Sequence, residues 1–304
     1  MAQSFEIVIA GGGIAALSGA LSAARLGRRT LVLAGDVLGG NLLSIEKVEG
    51  YPGFAEGVPG YELVPTAQAM AAEAGAEFEM LPLLGVEGSF PEFRLLTAQG
   101  EFGAKTVIAC TGASPKKLGI PGEERLVGKG VSHCASCDGP MLRGTTVAVV
   151  GGGDSAMQEA LTLASHVSRI VMLCRSPALD GQALYRERVL GHPKIEIRFN
   201  AAIAEIEGET AVSGVRLVSG ERLDVAAVFT YIGLAPNTAF LKNVLPLDVT
   251  GGIRTDGTPA TPVRGIFAAG LARAGAVGRA VAAAGEGVAA AIAAHEFLGG
   301  QAHE

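Results

Sequence analysis

The sequence predicts an α/β fold, and three observations carry this prediction. Two segments, 5–33 and 146–173, each pass from an apolar strand through three consecutive glycines into a stretch with helical apolar spacing and then a second strand. Hydrophobic residues make up 49% of the 304 residues and aromatic residues only 5%, which is typical of aliphatic sheets covered by helices. The 44 glycines have no three-residue period and often lie between apolar runs, where chains turn tightly.

Chain length and charge bound the class of protein. A chain of 304 residues is long enough for two domains. Its net charge of −6 gives no electrostatic reason to bind a nucleic acid. The N-terminus shows no basic segment followed by a cleavage pattern, and the most apolar stretch, 281–294, is too short to span a bilayer and contains Glu286. We therefore expect a cytoplasmic protein whose partners are neither nucleic acid nor membrane.

The first strand, loop and helix predict a dinucleotide site. A G-x-G-x-x-G/A turn between a strand and a helix lets backbone amides approach a pyrophosphate at the positive end of the helix dipole. Gly11, Gly13 and Ala16 fill this pattern. An acidic residue after the second strand often holds a ribose hydroxyl. Asp36 is a late candidate for that role and is equally consistent with a solvated turn.

The same pattern returns in the second half of the chain. Gly151, Gly153 and Ala156 fill the turn, and the following strand is succeeded by Arg175 and Ser176 rather than by an acid. A guanidinium and a hydroxyl suit a 2′-phosphate better than a bare ribose diol. The sequence therefore predicts a second dinucleotide, with NADPH preferred over NADH.

A Cys-x-x-Cys segment predicts thiol chemistry. Residues 134–138 read CASCD, so that Cys134 and Cys137 can close a small disulfide while Asp138 carries protons to and from a thiolate. The alternative is half of a zinc site with His133 as third ligand, but the sequence has no second Cys-x-x-Cys and no His pair. We predict these two cysteines and the aspartate as catalytic residues, and no metal.

Together these motifs resemble the low-molecular-weight thioredoxin reductase family over essentially the whole chain. The resemblance rests on CASCDG at 134–139, GGGDSA at 151–156, ACTGA at 109–113, IPGEE at 120–124, IGLAPNT at 232–238, GIFAAG at 265–270 and AAGEG at 283–287. It implies that each chain contains two Rossmann-like dinucleotide-binding domains with three-layer ββα architecture. It also implies that two such chains form a homodimer. An FAD-binding domain, 1–116 and 246–304, would be interrupted by an NAD(P)-binding-like domain, 117–245, that carries the disulfide.

The resemblance also implies a reaction and further site residues. In this family NADPH reduces FAD, FAD reduces the disulfide, and the second domain rotates to present the dithiol to thioredoxin. Carried onto this chain, Cys137 would face the flavin, Cys134 would attack the protein substrate and Asp138 would donate the proton. The additional cofactor-binding residues implied are Gly40, Asn41, Thr111, Gly112, Gly270, Arg279 and Ala280.

Several positions depart from the family pattern. The family's H-R-R-x-x-x-R, which grips the 2′-phosphate, is Cys174-Arg175-Ser176 with Asp180 in place of the last arginine. The family's A-A-G-D motif reads AAGL at 268–271, so that Leu271 stands in place of the aspartate. Because the changes surround the cofactors and the Cys-x-x-Cys is intact, we expect retained thiol exchange and an altered electron donor. The open alternatives are NADH, ferredoxin or a deazaflavin as donor, a flavin-dependent dithiol oxidase, and a redox sensor without catalysis.

Overall fold

The computed structural model describes residues 3–300 and divides into two units. The first unit comprises the chain up to Ser114 and the part from Ala235 onward, and the second comprises Pro115–Leu234. The chain thus returns to the first unit at Ala235, earlier than the predicted 246. The reason is packing, because Leu241 and Leu245 are each 2% exposed and belong to a core cluster of the first unit.

The first unit is built on a seven-stranded sheet. Its order is β3-β2-β1-β6-β5-β4, and β17 also pairs with β6. The strands are β1 (Ser4–Ala10), β2 (Thr30–Leu33), β3 (Glu77–Glu79), β4 (Gly85–Ser89), β5 (Glu92–Thr97), β6 (Gly100–Ala109) and β17 (Ile266–Ala268). The strands β1, β2, β3, β6 and β17 pair in parallel, whereas β4 and β5 form an antiparallel meander on β6.

The side chains of β1 divide between two core clusters, one on each face of the sheet. Ile7 and Ile9 pack with small side chains of the helices α1 (Ile14–Arg25) and α6 (Ala280–Gly300). Phe5 and Val8 pack with residues of the β4–β5 meander. A third helix, α2 (Gly60–Glu73), packs beside α1. The first unit therefore has helices on one face of its parallel strands, and the β4–β5 meander, which continues the same sheet from β6, contributes side chains to the core on the other face.

Helix α6 is longer than the apolar stretch 281–294. Within residues 3–300 it is the one helix whose length and hydropathy would allow it to cross a membrane. One face nevertheless packs in the core of the first unit through Ala290, Ala291 and Ala294, which are fully buried. Glycine at 287 allows the closest approach to α1, since a Cβ there would lie 1.9 Å from the carbonyl oxygen of Ala15. These contacts make α6 a core helix of the first unit.

The second unit has the three layers that the sequence predicts. Its parallel sheet has the order β11-β10-β9-β15-β8, and a three-stranded antiparallel sheet has the order β12-β13-β14. The strands are β8 (Val131–Ser132), β9 (Thr146–Val150), β10 (Arg169–Leu173), β11 (Ile195–Arg198), β12 (Ile203–Glu207), β13 (Gly214–Leu217), β14 (Arg222–Leu223) and β15 (Ala227–Thr230). The helices are α3 (Ala135–Asp138), α4 (Asp154–Ala164) and α5 (Ala183–Leu190).

Alternation along β9 shows how the layers pack. Val147 and Val149 lie in a core cluster with side chains of α4, while Ala148 and Val150 lie in another with side chains of β12 and β13.

The remaining two strands, β7 (Ala113–Pro115) and β16 (Leu234–Pro236), pair with each other where the chain passes from one unit to the other. The predicted α/β fold with three-layer ββα packing is confirmed.

Candidate functional site

The carboxyl ends of three parallel strands meet at the first glycine loop. Ala10 at the end of β1 pairs with Ala109 of β6, which in turn pairs with Ala268 of β17. The residues that follow these three strands therefore share one edge of the sheet, where dinucleotides bind in open α/β folds. They include the predicted cofactor residues Gly11, Gly13, Thr111, Gly112 and Gly270.

The first glycine loop is closed on one side and open on the other. Gly11 has φ +126°, and a Cβ there would lie 2.1 Å from the carbonyl oxygen of Cys110. Gly13 precedes the first residue of α1, and a Cβ there would meet no atom within 4 Å. Ala16, in the first turn of α1, is fully buried. Space thus remains at the amino end of α1 for a ligand to approach the backbone.

Two further segments of the first unit join this loop. Gly39 donates its amide to the Gly12 carbonyl at 2.8 Å, and Asn41 donates from Nδ2 to the Ala113 carbonyl at 2.8 Å. The segment that contains the predicted residues Gly40 and Asn41 is therefore held beside Gly12 and the chain after β6. Asp36, by contrast, is exposed after β2.

Glu286, which is not among the site residues predicted from the sequence, fixes the turn after β17. Glu286 of α6 accepts the amide of Gly270 at 2.8 Å and is paired with Arg273 at 2.8 Å. Arg279 is exposed just before α6, and Ala280 is the first residue of that helix. The AAGEG match at 283–287 contained Glu286, but nothing local to that motif indicates a contact with residue 270.

An unpartnered polar atom tests whether this edge fits a cofactor. Within the described range 3–300, Thr111 Oγ1 is the only buried side-chain nitrogen or oxygen without a hydrogen-bond partner. Leaving a buried hydroxyl unsatisfied costs about 1–3 kcal/mol, so such atoms usually face a ligand or a water. The lone hydroxyl and the open amide end of α1 together fit a polar, phosphate-containing ligand.

The second glycine loop repeats the geometry of the first. Gly151 has φ +134°, and a Cβ there would lie 2.2 Å from the carbonyl oxygen of Tyr231. Gly153 precedes α4, and a Cβ there would meet only the Asp180 carbonyl oxygen, at 3.9 Å. Ala156 is fully buried in the first turn of α4. This loop, too, leaves room for a ligand at the amino end of its helix.

The predicted disulfide is formed in the second unit. Cys134 and Cys137 are bonded to each other, with their Cα atoms 5.3 Å apart. Cys134 precedes α3, and its Sγ accepts the amide of Cys137 at 3.2 Å. Cys137 is exposed and Cys134 half-buried, so that a partner can reach the pair from solvent. Asp138 ends α3 and is also partly accessible.

The surroundings of the disulfide do not form a metal site. No cluster of three His, Cys, Asp or Glu side chains with metal-binding potential occurs within 3–300. His133 points elsewhere, since its Nδ1 lies 3.0 Å from the carbonyl oxygen and 2.9 Å from the hydroxyl of Thr230. The sulfurs are engaged with each other, which is the arrangement that thiol–disulfide exchange requires.

Comparisons with known proteins agree with this geometry. The sequence matches the family "Pyridine nucleotide-disulphide oxidoreductase" over residues 5–287. It is 39% identical over 305 residues to the thioredoxin reductase of Treponema pallidum, and the match covers 98% of each chain. The chain belongs to the low-molecular-weight thioredoxin reductase family.

Solved structures of this family superpose on the chain. The crystal structure of Lactococcus lactis thioredoxin reductase in its FR conformation has a TM-score of 0.94 and 32% identity, covering 97% of this chain and 99% of that one. A ferredoxin-flavin thioredoxin reductase from Clostridium acetobutylicum has a TM-score of 0.55 and 26% identity, covering 99% and 100% of the two chains. Both have the fold of a thioredoxin reductase.

The segment after β10 differs from the thioredoxin reductase motif in its charges. Arg175 and Ser176 are exposed there, as is Asp180, which stands in place of the family's last arginine. The amide of Asp180 donates to the Gly152 carbonyl at 2.8 Å, and Asp154 accepts the amide of Gln182 at 2.7 Å. Asp180 therefore brings a carboxylate to this segment where the family has a guanidinium group, whereas Asp154 belongs to the GGGDSA match.

The other two cysteines of the chain are buried thiols. Burial, together with the charge of Glu286, raises the pKa of Cys110 to about 12. Burial also raises the pKa of Cys174, whose Sγ lies 3.2 Å from the Gly151 carbonyl oxygen that accepts its proton. Both thiols are protonated at neutral pH, and neither is a nucleophile. Thiol exchange therefore falls to Cys134 and Cys137.

Proposed function

We propose that this chain is a flavoenzyme that reduces the disulfide of thioredoxin, or of a thioredoxin-like protein, through the Cys134–Cys137 pair. The observation that carries the proposal is a solvent-accessible disulfide in a chain of the thioredoxin reductase family. We further propose that the enzyme acts in the cytoplasm, since Cys110 and Cys174 are kept as free thiols.

The first unit is the proposed FAD domain. The amides of Gly11 and Gly13 and the positive end of α1 would hold the pyrophosphate, and the unpartnered Thr111 hydroxyl would gain a hydrogen bond. Asn41 and Gly270 would line the same edge. When bound, FAD supplies a two-electron carrier that can reduce a disulfide.

The proposed chemistry gives each sulfur the role that the family resemblance implies. Reduction adds two electrons and two protons and breaks the bond between the sulfurs. The Cys134 thiolate then attacks a disulfide sulfur of the partner, and the partner's other sulfur leaves and takes a proton. The Cys137 thiolate closes the bond to Cys134 again and releases the second partner thiol. The Cys137 amide, 3.2 Å from Cys134 Sγ, favours the thiolate on Cys134, and Asp138, which ends α3, would carry the protons.

The second unit is the proposed site of the electron-donating nucleotide. Arg175 is the one guanidinium left from the family's 2′-phosphate motif, and Asp180 adds a negative charge to that segment. A 2′-phosphate gains strength from bidentate arginine contacts and loses it near carboxylates. We therefore propose that NADH is used at least as well as NADPH.

An anaerobic titration tests both the function and the donor. The FAD-loaded protein is mixed with NADPH, NADH or reduced ferredoxin, flavin absorbance is followed, and oxidised thioredoxin is then added. We expect NADH to bleach the flavin at least as readily as NADPH, and thioredoxin thiols to appear. The double variant Ser176→Arg with Asp180→Arg should shift the ratio of NADPH to NADH efficiency about tenfold or more toward NADPH.

The outcomes of this titration separate the two proposals. Rapid, tight reduction of the parent by NADPH alone would refute the donor assignment and leave the function standing. Failure of every donor to yield thioredoxin thiols, with the flavin reduced, would refute the function. Oxygen uptake driven by a dithiol without any nucleotide would point to a dithiol oxidase instead.

A homodimer is the proposed assembly. The outer face of α6 exposes Val281, Gly285, Ala289 and Ile292, which lie along one stripe of the helix. Sedimentation velocity should give about twice the chain mass of 30.8 kDa. Ile292→Glu should lower the dimer fraction, because it introduces a charge into an apolar contact, whereas Val249→Glu at a position 99% exposed should not. A parent protein that sediments as a monomer at all concentrations would contradict the assembly.

A further inference from the structure

A buried carboxylate lies directly behind the disulfide helix. Glu159 of α4 is only 7% exposed. Its Oε2 lies 3.3 Å from the amide nitrogen of Ala135 and 3.5 Å from the hydroxyl of Tyr231, and both groups donate to it. Ala135, fully buried, is the first residue of α3 and stands between the two cysteines. The carboxylate thus contacts the backbone that carries the reactive sulfurs.

The position of Glu159 is otherwise an apolar one. Its neighbours on the buried face of α4 are aliphatic: Ala156, Met157, Ala160 and Leu163 are all fully buried. Burying a carboxylate among such side chains costs free energy that an alanine or leucine would not. The exchange chemistry uses Cys134, Cys137 and Asp138 and gives Glu159 no part. An acid at this position therefore calls for a role of its own.

Tyr231 keeps the Glu159 oxygen an acceptor. Burial, and then the negative charge of Glu159, raise the pKa of the Tyr231 phenol well above its ordinary value, so that it remains a hydrogen-bond donor. The residue follows β15 and is fixed there by its amide, which donates to the Val150 carbonyl at 2.8 Å. Two donors converge on one oxygen of Glu159, Oε2, which therefore accepts both hydrogen bonds.

We propose that Glu159 is a positioning residue for thiol–disulfide exchange: its carboxylate anchors the first turn of α3 through Ala135, and its negative charge opposes a thiolate on reduced Cys134. This role rests on the proposed function. It acts against the Cys137 amide, which favours that thiolate. The balance between the Glu159 carboxylate and the Cys137 amide sets the fraction of reduced Cys134 that is a thiolate at neutral pH.

Other ionisable groups around α3 also contribute to this balance. Asp138 belongs to α3 itself, and His133 precedes it on the chain. His166, which follows α4, packs on Gly139 at the end of α3, since a Cβ on that glycine would lie 3.0 Å from the ring. Tyr231 approaches from the sheet side. Glu159 differs from these groups because it is a buried acid in contact with the backbone between the cysteines.

The test measures the thiol directly in the full-length protein. In a Cys137→Ser background, the rate of iodoacetamide alkylation of Cys134 is followed from pH 5 to pH 10, and mass spectrometry verifies the site. Glu159→Gln keeps an oxygen for the Ala135 amide but removes the charge. We expect it to move the titration of Cys134 to lower pH and to raise the alkylation rate at pH 7 about tenfold.

Two control variants separate charge from structure. Glu187→Gln makes the same chemical change at an exposed position of α5 and should leave the titration unchanged. Glu159→Asp keeps the charge and should titrate close to the parent. If Glu159→Gln and Glu159→Asp shift the titration equally, or if Glu159→Gln does not shift it, the proposal fails. Should Glu159→Gln not fold, a shift in Glu159→Asp as large as about tenfold in rate would still overturn it.

This measurement is independent of the proposed function. The alkylation experiment uses neither flavin, nor nucleotide, nor thioredoxin. A protein that fails to reduce thioredoxin but shows the expected titration shift would refute the function and keep the influence of Glu159 on the thiol. The reverse result would keep the function and remove Glu159 from it.

Discussion

Replacing either Cys134 or Cys137 by serine is expected to abolish the reduction of thioredoxin, to below about a thousandth of the parent rate. Neither sulfur can form or re-form the disulfide alone, and the remaining cysteines, Cys110 and Cys174, are buried thiols that cannot substitute. Flavin binding should be unaffected, because the predicted FAD residues belong to the other unit. The measurement is steady-state thioredoxin reduction together with the flavin spectrum of each variant.

The two serine variants should differ in what they trap. Cys137→Ser leaves the attacking sulfur without its resolving partner, so a mixed disulfide between Cys134 and thioredoxin should accumulate on a non-reducing gel. Cys134→Ser should form no such complex. Val218→Ser, at a position of the same unit that is 71% exposed, is a control that should retain full activity. Complex formation by Cys134→Ser instead would exchange the two proposed roles, and full activity in either cysteine variant would refute the disulfide mechanism.

Gly13→Ala is expected to prevent binding of FAD, and Gly153→Ala to prevent binding of the pyridine nucleotide. Neither substitution should unfold the protein. Gly13 has φ −78° and Gly153 has φ −90°, which alanine adopts readily, and a Cβ at either position has free space around it. That space is where a pyrophosphate would approach the amides at the start of α1 or α4. The methyl should therefore weaken binding of the corresponding dinucleotide about a hundredfold or more.

The two glycine variants are compared by their flavin absorbance and by the reduction of that flavin. Gly13→Ala should purify folded, by circular dichroism, but without flavin. Gly153→Ala should purify yellow, be reduced by dithionite, and resist reduction by a pyridine nucleotide. Gly191→Ala, at another glycine with ordinary φ in the second unit, should behave as the parent. A yellow Gly13→Ala protein would place the flavin elsewhere, and normal nucleotide reduction of Gly153→Ala would exclude the second loop as the donor site.

The local motifs were the part of the site that could be predicted. Gly11, Gly13, Gly151 and Gly153 are recognisable because a strand, a tight turn and a helix follow one another within a few residues. The disulfide is recognisable for the same reason, since Cys134 and Cys137 are three residues apart. Patterns of this kind are complete within one short segment of chain.

Contacts between distant segments could not be predicted in this way. Glu159 contacts Ala135, which lies 24 residues away in the sequence. The sequence around Glu159 predicts only that it belongs to a helix and does not indicate this contact. Glu286 meets Gly270 only because α6 folds back along the turn after β17. The unpartnered Thr111 hydroxyl becomes visible only when burial and hydrogen bonds are both known. The return to the first unit at Ala235 depends on where Leu241 and Leu245 pack, which no local pattern indicates.

The placement of β17 and α6 has a consequence for synthesis on the ribosome. β17 pairs with β6, and α6 packs on α1 through Gly19 and Gly287, yet both elements are translated after the whole second unit. The nascent first unit therefore waits, with its sheet incomplete and the apolar side of α1 uncovered, until residues 266–300 emerge. The second unit is contiguous and can fold while translation continues. During that interval the unfinished first unit is the species that chaperones would need to shield.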